Sequence, residues 1–119
     1  MKKILILAAV LIGSVSMTWA ADHRVRVADF QFSPRTVNAV VGDAISFMWQ
    51  TGMHTTTSVS IPKGATPWNA PMDVSHPRFR IRVTVPGTYS YQCNFHFAQG
   101  MRGRIVVAAT SPARVPATN

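Results

Sequence analysis

The sequence predicts an all-β domain made of two sheets that face each other across one core. Three observations lead to this prediction. Short runs rich in Val, Ile, Thr and aromatic residues recur along the chain, and several alternate apolar with polar residues. Gly and Pro turn signals separate these runs, and no stretch shows a helical period. We expect about seven to eight strands, which close most readily as a β-sandwich.

Four strands are predicted in the first half of the chain that follows residue 20. Val25 and Val27 follow a period of two, with Phe30 as the next apolar candidate, before Ser33-Pro34 breaks the run. Later runs end at turn signals such as Gly42-Asp43. The predicted strands are the run around Val25 and Val27, Thr36 to Val41, Ala44 to Gln50, and His54 to Ser60.

The segment from Ile61 to Pro77 is different because four prolines and a glycine interrupt it. Proline cannot donate to a sheet ladder, so this segment is not a central strand. We expect a long connection that holds a short turn of helix, with Trp68 packed against the core. Three arginines alternate with apolar residues in the strand that follows, which predicts a solvated face: Arg78, Arg80 and Arg82. The last predicted strands are Arg78 to Val85, Thr88 to Cys93, and Arg102 to Ala108.

The first twenty residues have the order of a secretory signal peptide. Lys2 and Lys3 form a basic start, Ile4 to Ile12 is an unbroken apolar run, and small residues follow up to Ala20. An uncleaved membrane anchor is the alternative, but the apolar run is shorter than the ~20 residues that span a bilayer. We therefore expect residues 1–20 to be removed, a domain over 21–109, and a disordered tail rich in Pro, Ala and Thr over 110–119.

Basic residues outnumber acidic ones in the chain that would remain. Without Lys2 and Lys3, ten Lys and Arg residues stand against four Asp residues, which gives a formal charge of +6. This balance favours acidic partners or anionic surfaces. Export argues against nucleic acid as the partner. Because the signal is of bacterial type, we expect the protein in the periplasm, with secretion beyond the cell as the alternative.

Cys93 is the single cysteine of the sequence, so it cannot form a disulfide within the chain. It ends a predicted strand, and His96 and Met101 follow on a short loop before the next strand. Thiolate and imidazole are suited to copper, and a thioether adds a weak axial contact. His54, just past the strand break at Gly52, is the candidate for a fourth ligand. Taken singly, each residue has an ordinary explanation as a buried thiol, core methionine or hydrogen-bonded histidine, but the joint spacing favours a metal site.

The remaining histidines and methionines are weaker candidates. His23 lies near the expected new N-terminus and His76 lies in the long connection, and neither has a predicted ligand partner. Three methionines are alternatives to Met101 as the thioether ligand: Met48, Met53 and Met72. Of these Met53 ranks first because it adjoins His54, although we expect its side chain to point away.

In its motifs the sequence resembles the plastocyanin and pseudoazurin branch of the cupredoxins. The resemblance includes Phe32-Ser-Pro, Val41-Gly-Asp, Gly52-Met-His, and Cys93-x2-His96-x4-Met101 between Gly-Thr-Tyr-Ser-Tyr and Gly-x-Ile-Val-Val. It implies a Greek-key β-sandwich with one type 1 copper ion at one end, held by His54, Cys93, His96 and Met101. It also implies transfer of single electrons as copper alternates between Cu(I) and Cu(II), with the ring edge of His96 as the exit. No enzyme activity is implied.

Three positions depart from the family pattern. Phe95 precedes the second histidine, where plastocyanins usually have proline. Thr55 follows the first histidine, where asparagine is common, and Asn94 follows the cysteine, where a hydroxyl residue is common. Because the two residue types are exchanged, we expect Thr55 and Asn94 still to form a hydrogen bond that bridges the ligand segments. Loss of either should loosen the site.

Electron transfer has three rivals on the sequence alone. A periplasmic copper carrier or buffer would bind copper without redox cycling. A β-sandwich interaction module without metal would be favoured by a missing ligand, and none is missing. A cysteine hydrolase would need a base beside Cys93; His96 could serve only in the absence of metal, and no oxyanion-hole motif accompanies it.

The expected partner follows from charge and from the residues around His96. Phe95, Phe97 and Ala98 surround this histidine in sequence and predict an apolar patch at the copper end. Together with the basic charge, the patch predicts an acidic redox partner, such as a c-type cytochrome or a membrane-bound oxidoreductase. We expect a monomer that meets these partners in turn.

Overall fold

A computed structural model of the chain describes residues 20–110 as nine strands in two sheets, with one single-turn 3-10 helix over Phe97–Gln99. The predicted signal peptide and tail lie almost wholly outside these residues. Within residues 20–110, no helix has the length and apolar character that crossing a bilayer requires. The strands are β1 Asp22–Ala28, β2 Gln31–Ser33, β3 Thr36–Val40, β4 Ala44–Trp49, β5 His54–Ser60, β6 Asn69–Met72, β7 Arg78–Arg82, β8 Gly87–Gln92 and β9 Arg102–Ala108.

The first sheet has the strand order β2-β1-β4-β7. Strands β1 and β4 run parallel, with Val25 opposite Phe47, and the other neighbours are antiparallel. Alternation along β1 buries Val25 and Val27 completely. On β7 the arginines are exposed while Phe79 and Ile81 pack against the core. The predicted solvated arginine face is therefore confirmed.

The second sheet has the order β3-β9-β8-β5-β6, with β3 parallel to β9 and the remaining pairs antiparallel. The chain crosses between the sheets five times, at the β2–β3, β3–β4, β4–β5, β6–β7 and β7–β8 connections. The buried faces of both sheets contribute to one apolar cluster. The predicted all-β sandwich with a single core is confirmed.

Tyr91 is the centre of the aromatic core. Its ring meets Phe32 and Phe47 edge to face, with centroids 4.7 Å and 5.3 Å away. Gly103 lies opposite Tyr91 on β9, and a Cβ atom there would overlap with the tyrosine ring. Trp68 is buried and donates its indole N–H to Thr56 at 3.1 Å, so its predicted packing on the core is confirmed. Burial raises the pKa of Tyr91.

Two local predictions were wrong. The connection from Ile61 to Pro77 contains strand β6 and no helix. Pro71 is tolerated in β6 because this strand lies at the edge of its sheet, where an N–H donor can be missing. Phe30 belongs to no strand: it lies in the two-residue turn between β1 and β2, with φ of 64° and half of its surface exposed. The strand count rises to nine because β6 and the short β2 are added.

Asp43 closes the end of the sandwich where β1 begins. Its carboxylate accepts hydrogen bonds from the backbone N–H groups of Ala21 and Val40, both at 3.0 Å, and lies 3.0 Å from His23 Nε2. Burial alone would raise the pKa of Asp43, but the hydrogen bonds from His23, Val40 and Ala21 outweigh it and hold this pKa below its ordinary value. The carboxylate therefore fastens the start of β1 to the β3–β4 turn.

Candidate metal centre

One tightly hydrogen-bonded loop joins β8 to β9 and carries three of the predicted site residues. The backbone N–H of Cys93 donates to the Met101 carbonyl at 3.0 Å, and that of Met101 donates to the His96 carbonyl at 3.2 Å. The 3-10 turn Phe97–Gln99 lies between them, and Gly100 ends it in the left-handed region with φ of 86°. These bonds fix the three residues relative to one another without any metal.

His54 comes to the same end of the sandwich from the neighbouring strand. It is the first residue of β5, which pairs antiparallel with β8, so the start of β5 lies beside the end of β8. The Gly52 turn just before it has φ of 83°. His54 is 1% exposed and Cys93 is fully buried.

Three donor atoms converge at this point. The Nδ1 atoms of His54 and His96 are 3.2 Å apart, and the Cys93 Sγ atom lies 3.8 Å from the first and 3.5 Å from the second. A point inside this triangle is about 2 Å from all three atoms, close to an ordinary zinc–nitrogen bond length. Two imidazoles and a thiolate without a carboxylate suit copper in particular. Within residues 20–110 these three residues form the one cluster of His, Cys, Asp or Glu donors able to hold a metal.

The methionines differ in how they relate to this cluster. Met101 is fully buried and belongs to the same hydrogen-bonded loop. Met53 is 64% exposed, in keeping with the expectation that it points away. Met72 is buried and lies opposite His54 on β6. The loop and its burial make Met101 the fourth member of a type 1 copper arrangement.

His23 and His76 stand outside the cluster, as expected. His23 pairs with Asp43 at the other end of β1. His76 lies 2.9 Å from Asp73, and its side-chain hydrogen bond lowers the pKa of that carboxyl group. Both are therefore engaged with carboxylates elsewhere.

The predicted bridge between Thr55 and Asn94 is present. The backbone N–H of Asn94 donates to the Thr55 hydroxyl at 2.9 Å and so ties the residue after His54 to the residue after Cys93. The asparagine side chain takes no part in this bond, since its Oδ1 atom accepts from Gln92 instead. The bridge therefore depends on the Thr55 side chain and on the Asn94 backbone.

Two residues at the site gave no signal in the sequence. Asp29 Oδ1 lies 3.1 Å from His54 Nε2, the ring nitrogen that faces away from Cys93. The neighbouring Phe30 packs its ring edge to face on His96, with centroids 4.7 Å apart. Both residues lie far from the ligands in sequence, and only the β1–β2 turn brings them there.

An exposed aromatic surface surrounds His96. Phe30 and Phe95 contact its ring, and Phe30, Phe95 and Phe97 each expose between about two fifths and three fifths of their surface. The Arg102 guanidinium lies over the Phe97 ring at 6.0 Å. His96 itself is partly exposed. The predicted apolar patch therefore exists, and Phe30 extends it.

The fold and donor set together define a copper protein of the cupredoxin class. The chain belongs to the copper binding proteins of the plastocyanin/azurin family, whose model matches residues 20–108. A pseudoazurin of Paracoccus pantotrophus is 29% identical over 108 residues, which cover 84% of this chain and 72% of that protein.

Solved structures agree with this assignment. A pseudoazurin from Sinorhizobium matches with a TM-score of 0.65 and 27% identity, over 74% of each chain. A Cu-containing nitrite reductase from Thermus scotoductus matches with a TM-score of 0.64 and 26% identity, over 76% of this chain but only 23% of that one. The same sandwich is thus found alone and within a larger chain.

Proposed function

We propose that this chain is an exported blue-copper electron carrier whose single copper ion is held by His54, Cys93, His96 and Met101. The observation that carries the proposal is the convergence of two imidazole nitrogens and one thiol sulfur within 3.8 Å. All three donors lie at one end of the sandwich, next to a buried methionine. Copper in such a site accepts and releases one electron between Cu(II) and Cu(I).

The protein's part is to keep the donors in one geometry. Three backbone hydrogen bonds hold Cys93, His96 and Met101 on their loop, and the Thr55–Asn94 bond ties that loop to the His54 segment. Side chains locked in this way need little rearrangement when the charge at the site changes. We infer that Cys93 gives the strong thiolate ligand and Met101 the weak axial one.

The electron would leave through the partly exposed edge of His96. The aromatic surface around this ring is apolar and exposed, which is typical of a partner contact. A groove of about 460 Å³ on the outer face of the second sheet is lined by Arg35, Arg102 and Arg104 and by no acidic side chain. Both features favour an acidic redox partner such as a c-type cytochrome or a membrane-bound oxidoreductase.

Export to the periplasm is part of the proposal. β1 starts at Asp22, so removal of residues 1–20 would leave every described strand intact. The Ala21 nitrogen already lies 3.0 Å from Asp43 Oδ1. Cleavage after Ala20 would turn this nitrogen into an ammonium group and the hydrogen bond into a charge-assisted one. Mass spectrometry of the protein isolated from a bacterial periplasm tests this, with Ala21 expected as the first residue.

The chain is proposed to have no enzyme activity. A cysteine hydrolase would need a thiol that substrate can reach, whereas Cys93 is fully buried behind its neighbours.

The test is to add one equivalent of Cu(II) to residues 21–119 and record visible and electron paramagnetic resonance spectra. A strong thiolate-to-copper charge-transfer band with narrow hyperfine splitting supports the proposal. Cys93→Ser should abolish the band, and Met101→Leu should keep it while shifting the reduction potential. Met53→Leu is the matched control, because Met53 is exposed, and it should leave both unchanged.

A weak d–d spectrum with wide hyperfine splitting would instead indicate an ordinary tetragonal site and a copper carrier or buffer. Failure to bind copper stoichiometrically would overturn the proposal altogether.

A further inference from the structure

The two-residue turn between β1 and β2 contacts both histidines of the metal centre. Ala28 pairs with Gln31, so only Asp29 and Phe30 form the turn. Asp29 lies 3.1 Å from the outer nitrogen of His54, and the Phe30 ring packs at a steep angle against the His96 ring. Phe30 takes φ of 64°, which is unusual for a bulky residue and marks a turn whose conformation the surroundings enforce.

Asp29 contacts the ring nitrogen of His54 that points away from the metal centre, and this choice of nitrogen matters for metal binding. His54 Nδ1 faces Cys93 and His96, while Nε2 lies 3.1 Å from the Asp29 carboxylate. A carboxylate only accepts hydrogen bonds, so Nε2 must carry the proton and Nδ1 keeps its lone pair for a metal. The His54 side chain is fully buried, so water does not compete with Asp29 for Nε2 in the folded protein.

The surrounding backbone is built to allow this contact. The Asp29 backbone N–H donates to Thr51 Oγ1 at 3.1 Å, and Trp49 holds the Gly52 carbonyl at 2.7 Å through its indole N–H. A Cβ atom on Gly52 would overlap with Asp29 Oδ1 and lie 2.6 Å from His54 Nε2. Glycine at this position therefore leaves the gap through which the carboxylate reaches the imidazole.

We propose that Asp29 is a positioning residue of the metal centre: it fixes the His54 tautomer and, as an anion beside the imidazole, favours oxidised over reduced copper. The inference rests on the proposed function, because it takes His54 as a ligand. An anion that polarises a ligand stabilises the more highly charged metal state. Phe30 brings no charge to His96, so the two histidines are held by different means.

The first experiment needs no copper. In the metal-free protein, nitrogen-15 NMR should show the proton of the His54 ring on Nε2 and not on Nδ1. Asp29→Asn should keep this tautomer because its amide oxygen still accepts the proton, whereas Asp29→Ala should give a mixture of tautomers. An unchanged tautomer in D29A would overturn the positioning role, whatever the spectrum of the copper-loaded protein.

The second experiment measures copper. D29N should lower the affinity for Cu(II) about tenfold relative to that for Cu(I), and each tenfold raises the one-electron reduction potential by about 59 mV. Asp22→Asn is the matched control: it removes the same charge from an exposed aspartate at the far end of β1, where it contacts Ser46 and Arg80. Equal potentials in D29N and D22N would refute the electrostatic role.

Gly52→Ala disrupts the contact between Asp29 and His54 without changing either residue. Its control is Gly64→Ala, because Gly64 has a similar φ of 90° but open space around its Cβ position. Both variants should lose stability from backbone strain, and G52A should lose more because its Cβ also overlaps with Asp29. G52A alone should weaken Cu(II) binding about tenfold. If G64A weakens copper binding equally, the contact is not the cause. If the wild-type protein gives no blue spectrum, the proposed function fails, and the tautomer experiment still decides the role of Asp29.

Discussion

The two ends of the sandwich each contain a carboxylate–histidine pair, but the pairs are buried in opposite ways. At the start of β1 the Asp43 side chain is 3% exposed and that of His23 is 28% exposed. At the metal centre the His54 side chain is fully buried and that of Asp29 is 55% exposed. In the first pair the buried carboxylate accepts hydrogen bonds from backbone N–H groups. In the second pair the exposed carboxylate accepts a hydrogen bond from a buried imidazole. The two pairs thus differ in which member is buried: the carboxylate in the pair that stabilises the fold, and the imidazole in the pair that orients a metal ligand.

Asp43→Ala should give the largest change in stability. It leaves the Ala21 and Val40 N–H groups without their acceptor and should lower the free energy of unfolding by about 3 kcal/mol. The reduction potential should stay unchanged because Asp43 lies at the other end of β1. Chemical denaturation and voltammetry on the same variant check both statements. A shifted potential with unchanged stability would reverse the roles that we assign to the two ends.

The Asp43 pair also predicts how acid acts on the fold. Because the folded-state pKa of Asp43 is lowered below 3.8, its contribution to stability is complete well above pH 3.8 and is lost as the pH falls through the folded-state pKa. Unfolding of the metal-free protein, measured between pH 2 and 6, should show this loss. The slope of stability against pH should be smaller in Asp43→Asn, and an identical slope would contradict the prediction.

At the metal end, Thr55→Val should weaken copper binding about tenfold while costing at most about 1 kcal/mol of stability. It removes the acceptor of the Asn94 N–H group and so frees the ligand loop from the His54 segment. Asn94→Ala is its control, because the backbone donor remains. Copper titration and denaturation of both variants test the bridge. Equal losses of copper affinity would show that the asparagine side chain matters after all.

Tyr91→Phe, in the core between the two ends, should have the smallest effect and the opposite sign. Within residues 20–110 the Tyr91 hydroxyl is buried and has no hydrogen-bond partner. Its removal should raise the free energy of unfolding by about 1 kcal/mol and leave copper binding unchanged. Thermal and chemical unfolding measure the gain. A loss of stability would mean that the hydroxyl finds a partner in solution.

The fold was predictable where strands alternate and less so where they do not. Val25, Val27 and the arginine-rich β7 follow the period of two, because one face of each strand is buried and the other solvated. Strand β6 was missed because the four prolines of the connection from Ile61 to Pro77 argue against a strand, and only its edge position makes Pro71 acceptable. Phe30 was misplaced because an apolar residue in a tight turn cannot be told from a strand residue by hydrophobicity alone.

The sequence by itself determined the all-β class and the candidate set of Cys93, His96 and Met101, because these three lie on one short loop whose spacing can be read directly. It also singled out His54, which follows the strand break at Gly52, and the family resemblance implies the same ligand. Only the tertiary structure decided that Asp29 and Phe30 contact the histidines, since their proximity depends on how β1 and β2 are placed against β5 and β8. The spacing of residues on one loop can be read from the sequence, whereas contacts between distant segments form only when the two sheets pack together.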